Sequence, residues 1–339
     1  MTKVEVTSDN DIAETYSINT TTGALDASAG TGSKQIVLTT SGSSTNPNGF
    51  PLSNSSASVT TNGAYMVIKP GTHTLKVRYW VKDVATNVEG TITKTLPATA
   101  YASNTYYDMT ANLNVRNYDG DHYYMWDAEK QYWYGYEWTK HLSGNTGQPT
   151  LNGNSSSNYA QSNADPRYYN EAFTYGADNK ATHSSCKDLP NANEMSWYCM
   201  YGDPRWDGDE LWTTMGHLYK GGMWLKKKAV LQADNHYDTE KSADNTTDLR
   251  TTYKYYNNTN SSINNSGLPS AADANKYFYL PALGYYYSGQ LYSVGYGLYW
   301  SSSAYPWYSY DAYGLFFYSG NVNVSNHSRY VGFRAEALQ

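Results

Sequence analysis

The chain has 339 residues, enough for two domains or one large one, and carries a net charge of −6 with only 16% charged residues. That balance argues against a nucleic-acid partner, whose phosphates need clustered Lys and Arg, and no stretch reaches the roughly 18–20 apolar residues of a membrane-spanning helix. Tyrosine stands out at 37 residues against 6 Phe; a chain filling only a core favours rings without a hydroxyl to satisfy, so the excess points to a surface that touches a ligand.

Residues 1–20 open on a strand-like run and lack the basic start and apolar stretch of a signal peptide. Abundant small polar residues (TTTGALDASAGTGS, SGSSTNPNG, NNTNSSINNSG) and sparse charge predict an exported protein whose export segment has been removed. Residues 1–113 hold 6 of the tyrosines and the remainder hold 31, which places a domain boundary between 114 and 115.

Residues 1–114 read as short strands between Gly, Asn and Ser turns, at 3–7, 34–40, 56–61, 64–69, 74–83, 88–95 and 106–115. In TLKVRYWV the residues Leu75, Val77, Tyr79 and Val81 alternate with Lys76, Arg78 and Trp80, the period of a strand with one buried face. About seven such strands predict an antiparallel β-sandwich. His73 lies in the turn PGTHT and is expected in solvent.

Residues 115–339 read as an α+β domain, with two short helices followed by several strands. NANEMSWYCMY (191–201) has helix formers with apolar residues at helical spacing. DGDELWTTMGHLY (207–219) has acidic residues in its first turn and Gly221-Gly222 after its last, the expected start and stop signals of a helix. Strand-like runs follow at 223–231, 276–287, 297–305, 312–320, 322–326 and 330–338. Loops of the length of 141–185 and 233–270 are functional or mobile in compact domains.

The motifs YYMWDAEKQYWYGYEW, CKDLPNANEMSWYCMYGDPRWD, ELWTTMGHLYKGGMWLKKK, YFYLPALGYYYSGQL, GLYWSSSA and AYGLFFYSGNVNVSNHSRYVGFRAE resemble the C-terminal domain of fimbrillin-type surface proteins of gut bacteria. Such domains are similar to the C-type-lectin-like fold, in the branch shared with formylglycine-generating-enzyme-like proteins and the variable proteins of diversity-generating retroelements. The likeness covers roughly 115–339, and 1–114 resembles a fimbrillin lobe in general pattern. It implies a β-rich two-domain protein, a fimbrillin-like β-sandwich (1–114) followed by a C-type-lectin-like ligand-binding domain (115–339), placed as an adhesin at a pilus tip.

The resemblance also implies diversification near the C-terminus, where template Asn codons rewritten at adenine yield Tyr, Asp, His and Ser. Tyr286, Tyr287, Ser288, Tyr292, Tyr296, Tyr305, Tyr308, Ser309, Tyr310, Asp311, Tyr313, Asn326, His327 and Ser328 carry that alphabet. Tyrosine offers a large amphipathic contact at little entropic cost, with Ser, Asn and Asp adding adaptable hydrogen bonds. The predicted ligand-binding set is therefore Tyr286, Tyr287, Tyr292, Tyr296, Tyr305, Trp307, Tyr308, Tyr310, Asp311, Tyr313, Asn326 and His327, with Tyr285–Tyr287 and Tyr305–Tyr313 foremost. Pro306 fixes a loop that presents Trp307.

No catalytic or cofactor signature emerges. The Glu-Pro-Asn, Gln-Pro-Asp and Trp-Asn-Asp motifs of calcium-dependent lectins are missing from the sequence, and Asp119-Gly120-Asp121 and Asp207-Gly208-Asp209 are weak oxygen-ligand pairs. The seven histidines lack metal-ligand spacing. Cys186 and Cys199 read either as a disulfide in an oxidising compartment or as two separately buried thiols on one helical segment. Lys226–Lys228 reads as the solvated edge of a strand. The expected function is thus a non-enzymatic surface or fimbrial adhesin without cofactor, binding a host or bacterial surface protein or glycan, and pilin subunits where it assembles into a fibre. The alternative is a secreted glycan-binding lipoprotein of a polysaccharide-uptake system.

Overall fold

The computed structural model describes every residue except 28–29, 53–57, 174–175, 177–178, 261–262 and 264–267, and the side chain of Ala27. Strand accounts for 33% of the chain and helix for 7%, so the protein is β-rich. It divides into two units, Met1–Val115 and Arg116–Gln339.

The first unit contains β1 (Lys3–Ser8), β2 (Tyr16–Ile18), β3 (Leu25–Ala27), β4 (Gln35–Thr39), β5 (Gly71–His73), β6 (Leu75–Lys82), β7 (Glu89–Thr95) and β8 (Thr99–Tyr101). Its main sheet has the order β4-β1-β6-β7, beside the two-stranded sheets β2-β3 and β5-β8, and all of these pairings are antiparallel. Several antiparallel sheets in one unit are consistent with a β-sandwich. Strand β6 follows its sequence period, with Leu75, Val77 and Val81 buried and Lys76, Arg78 and Lys82 exposed. Its buried face joins Val6, Ile12 and Tyr101 in the unit's core.

Three of the seven expected strands do not form as read. Residues 64–69 hold no strand. Met66 and Ile68 pack on the core while Tyr65 and Val67 stand 77% and 90% exposed. The alternation is that of a strand, but among the described residues no neighbouring chain completes a ladder. Residues 106–115 are likewise irregular, and 58–61 form a turn; Ser56 and Ala57 fall outside the described residues. His73 is buried, not solvated: pairing of β5 with β8 sets its ring 6.0 Å from that of Tyr101. There its Nε2 lies 2.8 Å from the Lys69 carbonyl and its Nδ1 meets the Asn10 side chain.

The second unit contains β9 (Arg116–Tyr118), β10 (Tyr123–Tyr124), α1 (Ala192–Tyr201), β11 (Arg205–Thr214), β12 (His217–Lys226), α2 (Lys228–Ala233), β13 (Tyr256–Asn258), β14 (Tyr277–Pro281), β15 (Tyr285–Tyr287), β16 (Gln290–Tyr292), β17 (Gly297–Ala304), β18 (Asp311–Tyr318), β19 (Asn321–Ser328) and β20 (Phe333–Arg334). Its sheets have the orders β10-β20-β17-β18-β19-β13, β14-β12-β11-β9 and β15-β16. Helix α1 starts at a capping box: the Asn191 side chain accepts from the Glu194 amide (3.0 Å) and the Glu194 carboxylate accepts from the Asn191 amide (2.8 Å). Residues Ala192–Cys199 are all buried, as befits a helix enclosed on every side.

The expected helix over 207–219 is a hairpin of β11 and β12. Thr214 pairs with His217, leaving a two-residue turn in which Met215 and Gly216 have φ of 48° and 78°, the left-handed pair that matches strand twist. Asp207 does cap backbone amides, accepting from Asp209 and Glu210 at 3.1 and 3.0 Å. It does so at a β-bulge, where the register shifts between Asp207 and Leu211. The expected strand over 223–231 also divides, since Lys226 ends β12 and Lys228 begins α2. These lysines pair with Asp234 (2.9 Å) and Glu194 (3.4 Å).

The described residues between β10 and α1 and between α2 and β13 are largely irregular, apart from a 3-10 turn at Trp138–Lys140, and buried backbone there must find partners outside any ladder. Asp127 supplies one node. Fully buried, its carboxylate accepts from the amides of Thr182 (2.8 Å) and His183 (2.7 Å), the Thr182 hydroxyl (3.1 Å) and the Asn170 amide (2.7 Å). Replacing Asp127 with Ala removes a fully buried acceptor from all four of these bonds, so urea unfolding is expected to show a loss of about 1–3 kcal/mol. Asp209→Ala, at a 99% exposed side chain, is expected to stay within about 0.5 kcal/mol.

Candidate functional site

The segment joining β17 to β18 carries the densest group of expected contact residues. Strand β17 bulges at its end, where the Ser301 hydroxyl donates to the Tyr313 carbonyl (2.9 Å) and Ser303 Oγ accepts from the Ala192 amide at the start of α1 (3.0 Å). The loop is then closed by the Tyr305 amide donating to the Asp311 carbonyl (3.0 Å) and the Asp311 amide to the Tyr308 carbonyl (3.2 Å). Pro306 is buried, so its fixed φ sets the exit from the core.

The rings form a stack running from core to solvent. Tyr313 is wholly buried and meets Tyr305 edge-on at 5.5 Å. Tyr305 stacks on Tyr308 at 5.6 Å, and Tyr308 on Tyr310 at 5.7 Å. Tyr308 and Tyr310 are 48% and 52% exposed, and Trp307 is 53% exposed against Tyr253 at 5.2 Å. Burial pushes the Tyr305 phenol up to about 12 and that of Tyr313 further. The Tyr313 hydroxyl lies toward the Lys254 backbone without a well-formed hydrogen bond.

A second aromatic group covers the hairpin β15–β16 and the neighbouring sheet. The hairpin turns through Ser288 and Gly289, with φ of 46° and 73°; a Cβ at Gly289 would collide with the Ser156 carbonyl at 1.9 Å. Tyr287 packs on Tyr330 and Tyr292, and Tyr292 on Tyr285. Contacts continue from Tyr285 to Phe333, His327, Phe316 and Tyr296. Beside the rings runs a polar ladder on β19. Asn323 donates to Asn321 (2.8 Å), the Ser325 hydroxyl donates to Asn323 (2.9 Å), and Ser325 Oγ lies 3.1 Å from His327 Nε2.

Four expected contact residues belong to the interior. Tyr286 is enclosed by Tyr123, Tyr132 and Trp133, and its hydroxyl donates to the Pro149 carbonyl. Tyr305, Asp311 and Tyr313 are also buried. Both faces of β18 are covered, so a period of two could not separate inside from outside there. Asp311 Oδ2 accepts from the Asn326 side chain at 2.7 Å. Asn326, His327 and Tyr292 are half-buried, whereas Tyr287, Tyr296, Trp307, Tyr308 and Tyr310 are exposed. Tyr253, Tyr318 and Tyr330 join these groups without having been singled out. Tyr318 and Tyr330 share the terminal composition, while nothing near Tyr253 in sequence marks it.

Arg329 follows the last residue of β19. Fully buried, its guanidinium lies 4.4 Å over Trp126 and donates to the carbonyls of Asp311 (3.0 Å), Asn170 (3.1 Å) and Ala172 (3.0 Å). Burial pushes it down to about 10. The two cysteines are separate buried free thiols, Cys199 on α1 and Cys186 in the turn before it, both pushed up to about 12 by burial. Among the described residues no group of three His, Cys, Asp or Glu side chains stands close enough to hold a metal ion, and no helix is long and apolar enough to cross a membrane.

Tyr313→Ala is expected to cost about 3–5 kcal/mol in urea unfolding, Tyr313→Phe almost nothing, and Tyr308→Ala or Tyr310→Ala under about 1 kcal/mol. Burial also pushes the His327 imidazole down to about 4, so the unfolded chain takes up a proton near pH 6.5 that the folded chain refuses. The stability tied to neutral His327 is therefore complete above pH 6.5 and is lost as the pH falls toward 4. Unfolding at pH 7.5 and 5 is expected to show a smaller loss in His327→Gln than in the natural chain.

No family model matches the chain, and neither a curated protein nor a solved structure matches it.

Proposed function

We propose that the chain is a non-enzymatic, exported adhesin of the cell surface or fimbrium, in which Trp307, Tyr308 and Tyr310 are the centre of contact with a protein or glycan on a host or bacterial surface. Its residues 1–114 serve as a fimbrillin-like sandwich and 115–339 as a C-type-lectin-like ligand-binding domain. The observation that carries this reading is the exposure of three large rings on a base that is itself stacked and buried. Exposed aromatics held in one arrangement lose little entropy on binding, and Trp and Tyr dominate the energetics of interfaces.

Two further observations support it. Buried thiols held protonated are poor nucleophiles, which favours binding over catalysis for Cys186 and Cys199. Diversification from a template repeat fits Tyr287, Ser288, Tyr308, Ser309 and Tyr310, all exposed, where substitution leaves the core intact. It does not fit Tyr286 or Tyr313, whose replacement opens a cavity.

Fluorescently labelled protein is expected to bind epithelial or bacterial cells saturably in flow cytometry. In the Trp307→Ala/Tyr308→Ala/Tyr310→Ala variant the apparent Kd should rise by at least about tenfold, with a melting temperature close to that of the natural chain. Unchanged binding by a folded triple variant would remove the loop from the contact.

A further inference from the structure

Helix α1 has a different surface at each end. Its N-terminus is fastened to Ser303, two residues before the aromatic loop, and its C-terminus opens on a cavity of about 530 Å³. The ten residues of α1 span about 15 Å, so the cavity is a place apart from the loop. Its volume falls in the roughly 300–1,000 Å³ range of small-molecule sites.

One wall is apolar. Tyr201 and His236 stack at 4.1 Å and 12°, with Met200 beside them in the lining. Tyr201 and Met200 are each 38% exposed although the rest of α1 is hidden. Behind the pair stands buried Trp197, 5.4 Å from Tyr201, which holds the exposed ring in place.

The other lining groups are mostly polar, and their charges are already compensated. Lys226 and Asp234 line the cavity as an ion pair at 2.9 Å. Asp203 is held by Arg205 at 2.9 Å and by the Tyr277 hydroxyl at 2.6 Å. Asn258 also lines it, donating one N–H to the Cys199 carbonyl (3.0 Å) and accepting from the Asn260 amide (3.1 Å). An amide has two N–H groups and two lone pairs, and a carboxylate about four acceptor sites, so this wall keeps capacity for both donors and acceptors.

A phosphate or other anion meets no unpaired cation among the described lining residues, because Lys226 is committed to Asp234. A cation meets carboxylates that already hold partners. A wholly apolar ligand would strip water from Asn258, Asp203 and the Lys226–Asp234 pair without replacing their hydrogen bonds. What matches a stacked aromatic wall facing neutralised donors and acceptors is a neutral ring with one apolar C–H face and a rim of hydroxyls. We propose that this cavity binds a neutral hexopyranose unit of a glycan, with the sugar's C–H face on the Tyr201–His236 wall and its hydroxyls toward Asn258 and Asp234. The site is additional to the aromatic loop and does not rest on the loop's role.

Saturation-transfer NMR on the full chain with methyl α-D-mannopyranoside and methyl β-D-galactopyranoside, each at about 20 mM, tests this at the weak affinities expected of single sugars. Transfer to the ring protons of at least one sugar is expected, strongest on its C–H face. Tyr201→Ala should weaken binding by about tenfold or more, and Tyr201→Phe should restore it within about threefold. The Tyr308→Ala/Tyr310→Ala variant should bind these sugars as the natural chain does, which separates failure here from failure of the loop as a contact. Should Tyr201→Ala lower the melting temperature markedly, His236→Ala puts the same question to the other ring. Absence of transfer from both sugars, transfer unchanged by loss of either ring, or displacement by inorganic phosphate at the same concentration would overturn the proposal.

Discussion

A core built around long irregular segments must supply hydrogen-bond partners to backbone that no helix or ladder serves, and this constraint governs the second unit. An unpaired buried carbonyl or amide costs about 1–3 kcal/mol, so apolar packing alone cannot hold such segments in place. Tyrosine answers both needs, because its ring fills volume while its hydroxyl reaches a carbonyl. Buried Tyr123 donates to Leu283 (2.7 Å), Tyr299 to Pro281 (2.7 Å), Tyr219 to Thr150 (2.6 Å) and Tyr286 to Pro149. Phenylalanine in place of Tyr123, Tyr219 or Tyr286 would remove those bonds, while the Pro281 carbonyl would keep the Leu283 amide (3.0 Å). The scarcity of Phe beside the wealth of Tyr is in part a property of this interior.

Charged groups finish what tyrosine begins. Asp127 gathers donors from Asn170, Thr182 and His183, and Arg329 reaches carbonyls of Asn170, Ala172 and Asp311 while lying on Trp126. The backbones join as well, the Trp126 amide donating to the Arg329 carbonyl at 2.8 Å and the Arg329 amide to the Tyr310 carbonyl at 2.8 Å. One node thus fixes the irregular segment, the end of β19 and the aromatic loop together. The exposed rings of Tyr308 and Tyr310 rest on that construction, which gives them the fixed arrangement a contact surface needs.

The two candidate ligand sites share α1 as their common support. Its start is fastened by a serine of the β17 bulge and its end shapes the cavity at Tyr201. The loop exposes broad rings, while the cavity combines one ring wall with compensated polar groups; in the proposed reading the first meets a large partner and the second a small one. The ladder of Asn321, Asn323, Ser325 and His327 adds a polar strip whose imidazole burial keeps neutral above about pH 4.

Local pattern was legible wherever the physics is local. Helix formers with apolar residues at helical spacing made α1 readable within 191–201, and alternation made β6 readable from Leu75, Val77 and Val81. The segments LPALG and YWSSS serve the interior, accepting from tyrosine hydroxyls and anchoring α1. Met215-Gly216 concealed a hairpin, because Met is rare in the left-handed turn that Asn usually takes and Asp207 imitates a helix cap while serving a bulge. The sequence by itself determined a β-rich chain, the helix, and the concentration of tyrosine after residue 113. Which tyrosines stand in solvent depends on tertiary packing. Tyr286 and Tyr287 are neighbours of one residue type, and only the layers packed around them make one a pillar of the core and leave the other in solvent.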